Sequence, residues 1–152
     1  MSERRPRSVG LVPHRDRPLA HELARVVADR FVGEGIEVRV PAPDAATTGL
    51  GEFAVEPEAF ADNLDLALSI GGDGTMLRTV DLTYETGAAV LGINVGQLGY
   101  LAEVEPGDVP ATLERLLLGN YAVEERMVLQ VTVRSDGVAS GRWWALNEAV
   151  IE

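Results

Sequence analysis

The stretch Leu64–Arg78, LDLALSIGGDGTMLR, decides how the chain is read. Its first seven residues, Leu64–Ile70, form an apolar run of the length of a buried strand. Three glycines then surround one aspartate, a threonine follows, and helix-forming residues resume from about Thr75 to Glu85. Glycine in such a turn costs conformational entropy. The bare backbone therefore needs a reason, either a turn that only glycine makes or a partner that comes very close. A strand running through a glycine turn into a helix opens an α/β crossover, and in open α/β sheets ligands bind outside the carboxyl ends of the strands.

The same grammar extends to both sides. Ser8–Pro13 (SVGLVP) reads as a first strand and Pro18–Gly35 as a helix, with Pro18 in the first turn and Leu19, Leu23, Val26, Val27 and Arg30 at helical spacing. Ile36–Val40 is a short alternating strand. The following segment, PAPDAATTGLGEFAVEPEAFADN, is rich in Pro, Gly, Ala and acids, and reads as a long loop with one helical turn at most. Ala89–Asn94 is another strand, Val95–Val109 a glycine-punctuated loop, and Ala111–Gly119 a short amphipathic helix. Strands alternating with helices predict an α/β domain over residues 1–120, with a mostly parallel, Rossmann-like sheet and flanking helices. Beyond Gly119 two strand-like runs are joined by DGVAS, whose Asp-Gly suits a hairpin turn. A lone hairpin is marginal in water, so residues 121–152 are expected to begin a second, β-rich domain whose remainder is absent.

Composition narrows the function. The chain has 152 residues and a formal net charge of −11, which argues against a duplex-binding protein and its basic face. All 13 cationic side chains are arginines, so a P-loop lysine and Schiff-base chemistry are both excluded. There is no cysteine, hence no disulfide framework or thiolate site. No apolar run approaches the roughly 18–20 residues that span a bilayer, and the basic start MSERRPR leads into a short strand rather than a signal sequence. A cytoplasmic protein without membrane partners is expected.

At the glycine turn, Gly72 and Gly74 would let a pyrophosphate approach the backbone at a helix N-terminus, where free N–H groups favour phosphate. Asp73 is the oddity, because a carboxylate repels phosphate. It fits a ligand hydroxyl, whose proton it can take for about 10²–10⁴-fold in rate, or a Mg²⁺ ion held against a transferring phosphate. The competing reading is a simple helix cap for a helix starting near Thr75. That reading explains Asp73 but not glycine on both sides of it. His14 and His21 lack the i, i+4 pairing of a helical metal site and read as surface or packing residues. Glu52, Glu56, Glu58 and Asp62 read as a solvated loop face, and Trp143 and Trp144 as core of the expected second domain.

Three collinear segments carry a resemblance: GGDGTMLR at Gly71–Arg78, LGINVGQLGYLAEVEP at Leu91–Pro106 and ALNEAVIE at Ala145–Glu152. Together, and in this order, they resemble the amino-terminal part of bacterial NAD kinases, over essentially the whole chain from Ser8. The GGDGT turn alone is shared with diacylglycerol and sphingosine kinases; the other two segments separate the families. The resemblance implies ATP-dependent phosphorylation of the 2′-hydroxyl of the adenosine ribose of NAD, giving NADP, with a divalent metal, Mg²⁺, carried with ATP. It implies Asp73 as the catalytic aspartate, acting on or orienting that hydroxyl, with Gly72, Gly74 and Thr75 in the same nucleotide-contacting turn. Arg78 falls where the family commonly places a basic nucleotide contact, and one helical turn from Asp73 it would project towards the same mouth. Asn147 and Glu148 match an Asn-Glu pair that hydrogen-bonds the dinucleotide. In the segment with Gly92, Gly96 and Gly99, read as a pocket wall of close backbone approach, Asn94 would offer an amide and Tyr100 an aromatic surface or a packed ring. In that family the site lies between domains and between subunits, so a homo-oligomer is expected for the full-length protein. Two alternatives stay open: a non-catalytic NAD- or ATP-binding module, and a lipid kinase fragment sharing the GGDGT turn.

Overall fold

The computed structural model describes residues 4–96, 99–135 and 138–146. Two compact units are present, Met1–Ala122 and Val123–Glu152. In the first, β1 (Ser8–Pro13), β2 (Glu37–Pro41), β3 (Ala54–Val55), β4 (Leu66–Gly71) and β5 (Ala89–Asn94) form one five-stranded sheet in the order β3-β2-β1-β4-β5. Every pairing in it is parallel. From β1 the chain moves outward to β2 and β3, then returns to the other side of β1 as β4 and continues to β5. The connections therefore diverge between β1 and β4, and that divergence opens a crevice at the strands' carboxyl ends. At their amino ends the same two strands are clamped together. The Asp65 carboxylate accepts the Arg7 and Ser8 N–H groups at 2.7 and 3.2 Å, and the Ser8 hydroxyl accepts the Asp65 N–H at 3.1 Å.

Successive strand side chains point to opposite faces, and both faces of this sheet are covered. Val9, Leu11, Val38, Val40, Leu66, Leu68, Ile70 and Ile93 face one side. They pack against α1 (Pro18–Gly33) and α4 (Val109–Leu117). Val12 and Ala67 face the other, beneath Phe60, Ala61 and Leu64, with Leu82 of α3 (Asp73–Thr83) alongside. The expected α/β architecture is present, with two local corrections.

The first concerns α1. Its buried stripe is Ala20, Ala24, Val27, Ala28 and Phe31, whereas Leu19 and Val26 are exposed. Three alanines let the helix backbone lie close to the sheet, and they share the inner face with Val27, Phe31 and partly buried Leu23. The second concerns the segment expected to be a long loop. It carries a two-turn helix, α2 (Ala42–Thr48), ended by Gly49 in the left-handed region, then the edge strand β3 and two single 3₁₀ turns. It is held down along its length. Arg25 of α1 bonds the Gly49 carbonyl and the Glu52 carboxylate and stacks 5.8 Å from the Phe53 ring centroid. Arg39 of β2 donates to the Asp62 carbonyl at 2.6 Å and to Glu37, whose carboxyl is held below its ordinary range chiefly by that hydrogen bond. Fully buried Phe60 lies over Gly10, where an added Cβ would sit 2.8 Å from Cε2 of its ring.

The second unit contains β6 (Leu129–Ser135) and β7 (Val138–Ala145), an antiparallel pair with a register shift between Val133 and Arg134. The Asp136–Gly137 turn expected between them lies outside the described residues. Leu129, Val133 and Trp143 are exposed.

Candidate functional site

The crevice between β1 and β4 is an open cleft of about 400 Å³. It is lined by the loop His14–Arg17, which follows β1, and by Gly72–Thr75, where β4 gives way to α3, with Arg78 further along that helix. Helix α3 starts at Asp73, two residues before its expected start, with Gly72 as its N-cap. The Gly72 carbonyl accepts the N–H groups of Thr75 and Met76, both at 3.0 Å. As at any helix start, the first N–H groups have no partner within the helix.

The three glycines divide cleanly by cause. A Cβ at Gly71 would collide with the Thr75 side chain, so the fold itself requires that glycine. Among the described residues a Cβ at Gly72 or Gly74 would meet nothing within 4 Å, and neither residue has a left-handed backbone. Nothing among the described residues asks for glycine at those two positions. Both border the cleft, and both leave its floor bare.

Asp73 is not a helix cap: it occupies the first helical position and makes no capping bond. Its carboxylate turns instead to the loop after β5. Oδ2 accepts the Tyr100 N–H and Oδ1 the Leu101 N–H, each at 3.1 Å. Gly99 permits this, since a Cβ there would strike the carboxylate. The close backbone approach expected of the glycine-punctuated loop is thus made to Asp73. A carboxylate offers about four lone-pair directions. With two taken by amides it is fixed in orientation and can still accept a hydroxyl proton.

The other sequence candidates are placed less uniformly. Thr75 is buried in the cleft floor, and Thr79 returns a hydroxyl bond to its carbonyl at 2.8 Å. Arg78 lines the cleft, but its guanidinium is tethered to the Asp44 carboxylate and to the Pro13 carbonyl. Asn94, next to Gly71 in the sheet register, is buried; its amide nitrogen donates to Glu105 at 3.2 Å, and its Oδ1 has no partner among the described residues. The Tyr100 residue is 93 % exposed rather than packed. Neither Asn94 nor Tyr100 is among the residues lining the cleft. Asn147 and Glu148 lie outside the described residues.

Sequence reasoning passed over the opposite wall. Arg15 and Arg17 come from HRDRP, directly after β1. The rule that drew attention to the end of β4 applies equally to its neighbour across the crevice, and would have found them. Arg17 reaches from this loop to the Val95 carbonyl just beyond β5. His21 fixes the loop, its Nε2 lying 3.1 Å from the His14 carbonyl and 2.8 Å from that of Arg15. The cleft lining carries three arginines and two aspartates, a local excess of positive charge on a chain of net charge −11.

A parallel sheet with an arginine-bearing cleft at its switch point, floored by bare glycines at a helix start, defines a doubly wound α/β protein with its cleft where such sheets take ligands. Residues 9–121 match the family described as the ATP-NAD kinase N-terminal domain, and the chain belongs to that family. It is 43 % identical over 155 aligned residues to the NAD kinase of Corynebacterium diphtheriae, covering 96 % of this chain and 49 % of that protein. It is 38 % identical to the NAD kinase of Symbiobacterium thermophilum, covering 93 % of this chain and 50 % of that protein. The chain thus spans about half the length of the curated relatives it matches. Its fold is similar to that of yeast NADH kinase complexed with NADH, with a TM-score of 0.81 at 17 % identity, over 96 % of this chain and 50 % of that one.

Proposed function

We propose that this chain supplies the nucleotide-binding part of an NAD kinase, in which phosphate passes from ATP to the 2′-hydroxyl of the adenosine ribose of NAD. The observation that carries this reading is the pairing of two glycines the fold does not require with a carboxylate held at the cleft floor. In the proposed step the 2′-hydroxyl oxygen bonds to the γ-phosphorus, its proton passes to Asp73, and the bond to ADP breaks. The cationic wall and the amides at the start of α3 hold phosphate, and the tethered carboxylate holds the hydroxyl. A divalent ion, Mg²⁺, supplies charge neutralisation to the transferring phosphate. The ion is proposed to arrive carried with ATP. Asn147 and Glu148 are proposed to hydrogen-bond the dinucleotide, and the full-length protein to be a homo-oligomer. A cytoplasmic location fits this role; no helix among the described residues is long and apolar enough to cross a membrane.

The test is NADP formation from NAD, ATP and Mg²⁺ by the protein expressed over its whole reading frame. Turnover supports the kinase reading, and nucleotide binding without turnover supports a binding module instead. A second expectation concerns the bare floor. Gly74→Ala should leave the protein as stable as before or raise stability by about 0.5–1 kcal/mol, because alanine is the better helix former. The same change should weaken nucleotide binding by about tenfold or more, which corresponds to ~1.4 kcal/mol. Calorimetric titration with ATP alongside thermal unfolding reads both. Unchanged affinity would mean that the floor is not used.

A further inference from the structure

We propose that Asp44 is a positioning residue of the cleft: its buried carboxylate is a shared anchor that spreads Arg15 and Arg78 into a two-pronged wall for the phosphates of a bound nucleotide. The inference rests on the nucleotide reading above and deepens it. Asp44 belongs to the first turn of α2 and is not itself a lining residue. Its side chain is 1 % exposed, yet Oδ1 accepts Nε of Arg15 at 2.7 Å and Nη1 of Arg78. The two arginines arrive from different elements, the loop after β1 and the second turn of α3. Their side chains are 48 % and 29 % exposed, and both line the cleft. The pairing is thus dry at the carboxylate and wet at the cations.

Charge and geometry favour a ligand role over a purely structural one. A buried carboxylate is costly unless paired, and one arginine would pair it. Here one carboxylate faces two guanidinium groups, so the cluster retains a positive charge at the cleft. Guanidinium presents its donors in a rigid planar fork suited to phosphate. The bonds named engage Arg15 through Nε. Arg78 is fixed from a second side, Nη2 donating to the Pro13 carbonyl at 2.9 Å. Asp44 is secured in turn, its carbonyl accepting the hydroxyls of Thr47 and Thr48 at 3.1 and 2.8 Å. Without the anchor the two cations would repel one another and relax into solvent, leaving the phosphates to be gathered by mobile side chains.

Steady-state rates with NAD and ATP test this in the protein expressed over its whole reading frame, comparing wild type, Asp44→Asn, Arg78→Gln and the double variant. Asp44→Asn is expected to raise the KM of at least one nucleotide about tenfold or more, with a smaller change in kcat. In the Arg78→Gln background the same change is expected to add less than about twofold, because the anchor then has less to position. An unchanged KM, or effects that simply add, would overturn the proposal. If Asp44→Asn does not fold, Arg15→Gln and Arg78→Gln replace it, both on partly exposed side chains. A shared anchor requires their effects on KM to be non-additive, and additivity overturns it equally. A wild type that makes no NADP overturns the kinase reading instead; equilibrium ATP binding by the same variants then decides, on the same criterion applied to Kd.

Discussion

Asp73→Asn is expected to lower kcat for NADP formation by about 10²–10⁴-fold, the range typical of losing a positioned general base. The substitution keeps the size of the side chain and its place in the first turn of α3. It removes the charge and turns one carboxylate oxygen into an NH₂ group. That group then faces the N–H of Tyr100 or Leu101, donor against donor. Two consequences are therefore mixed in one variant, loss of the proton acceptor and loosening of the loop after β5. Gly99→Ala is a steric control, because its Cβ strikes the Asp73 carboxylate and disturbs the same contacts while leaving the charge in place. Rate assays on both variants give the answer. If Asp73→Asn is far more impaired than Gly99→Ala, the carboxylate does chemistry. If Asp73→Asn costs less than about tenfold, Asp73 serves to hold the loop, and the proposed proton transfer is wrong.

Phe60→Ala is expected to destabilise the protein severely, by about 3–5 kcal/mol, because the transfer and cavity terms of a lost phenyl ring add. Phe60 is fully buried on the sheet face opposite α1, against Val12, Ala61, Leu64 and Ala67. Gly10 lies beneath the ring and has no side chain with which to fill the space left behind. For a chain of this length such a loss lowers the thermal midpoint by roughly 2–4 °C per kcal/mol, or about 6–20 °C in all. Thermal unfolding of the whole protein, followed by circular dichroism, measures it. A fall of only a degree or two would mean that the segment around Phe60 does not belong to the cooperative core.

These two residues also mark where the sequence was legible and where it was not. Asp73 announces itself locally: a strand, a turn of bare glycines and a helix follow one another within Leu64–Arg78, and short-range rules read them directly. Strands β1, β4 and β5 were legible for the same reason, each a short apolar run with punctuation at its ends, and β2 by its alternation. The two-residue β3, Phe60 and Asp44 lie in a stretch whose Pro, Gly and acidic composition imitates a solvated loop. What holds that stretch comes from elsewhere in the chain: the bare backbone at Gly10, the guanidinium groups of Arg15 and Arg78, the side chains of Arg25 and Arg39. No window of sequence contains those partners. Helical spacing in α1 was legible, but not its inner face, because the alanines that approach the sheet carry little hydrophobic weight, whereas exposed Leu19 and Val26 carry much. The cleft was legible from its β4 side alone, although His14–Arg17 stands at the equivalent end of β1.

The tether between the Asp73 carboxylate and two backbone amides gives the site a built-in spectroscopic readout. The amide protons of Tyr100 and Leu101 sense what that carboxylate touches, since their hydrogen bonds lengthen or shorten as its charge is shared with a hydroxyl. Their nitrogen–proton resonances would shift on nucleotide addition, and their exchange with deuterated solvent would slow or quicken with it. Occupancy of the floor of the cleft can therefore be followed residue by residue in solution, before any phosphate has moved.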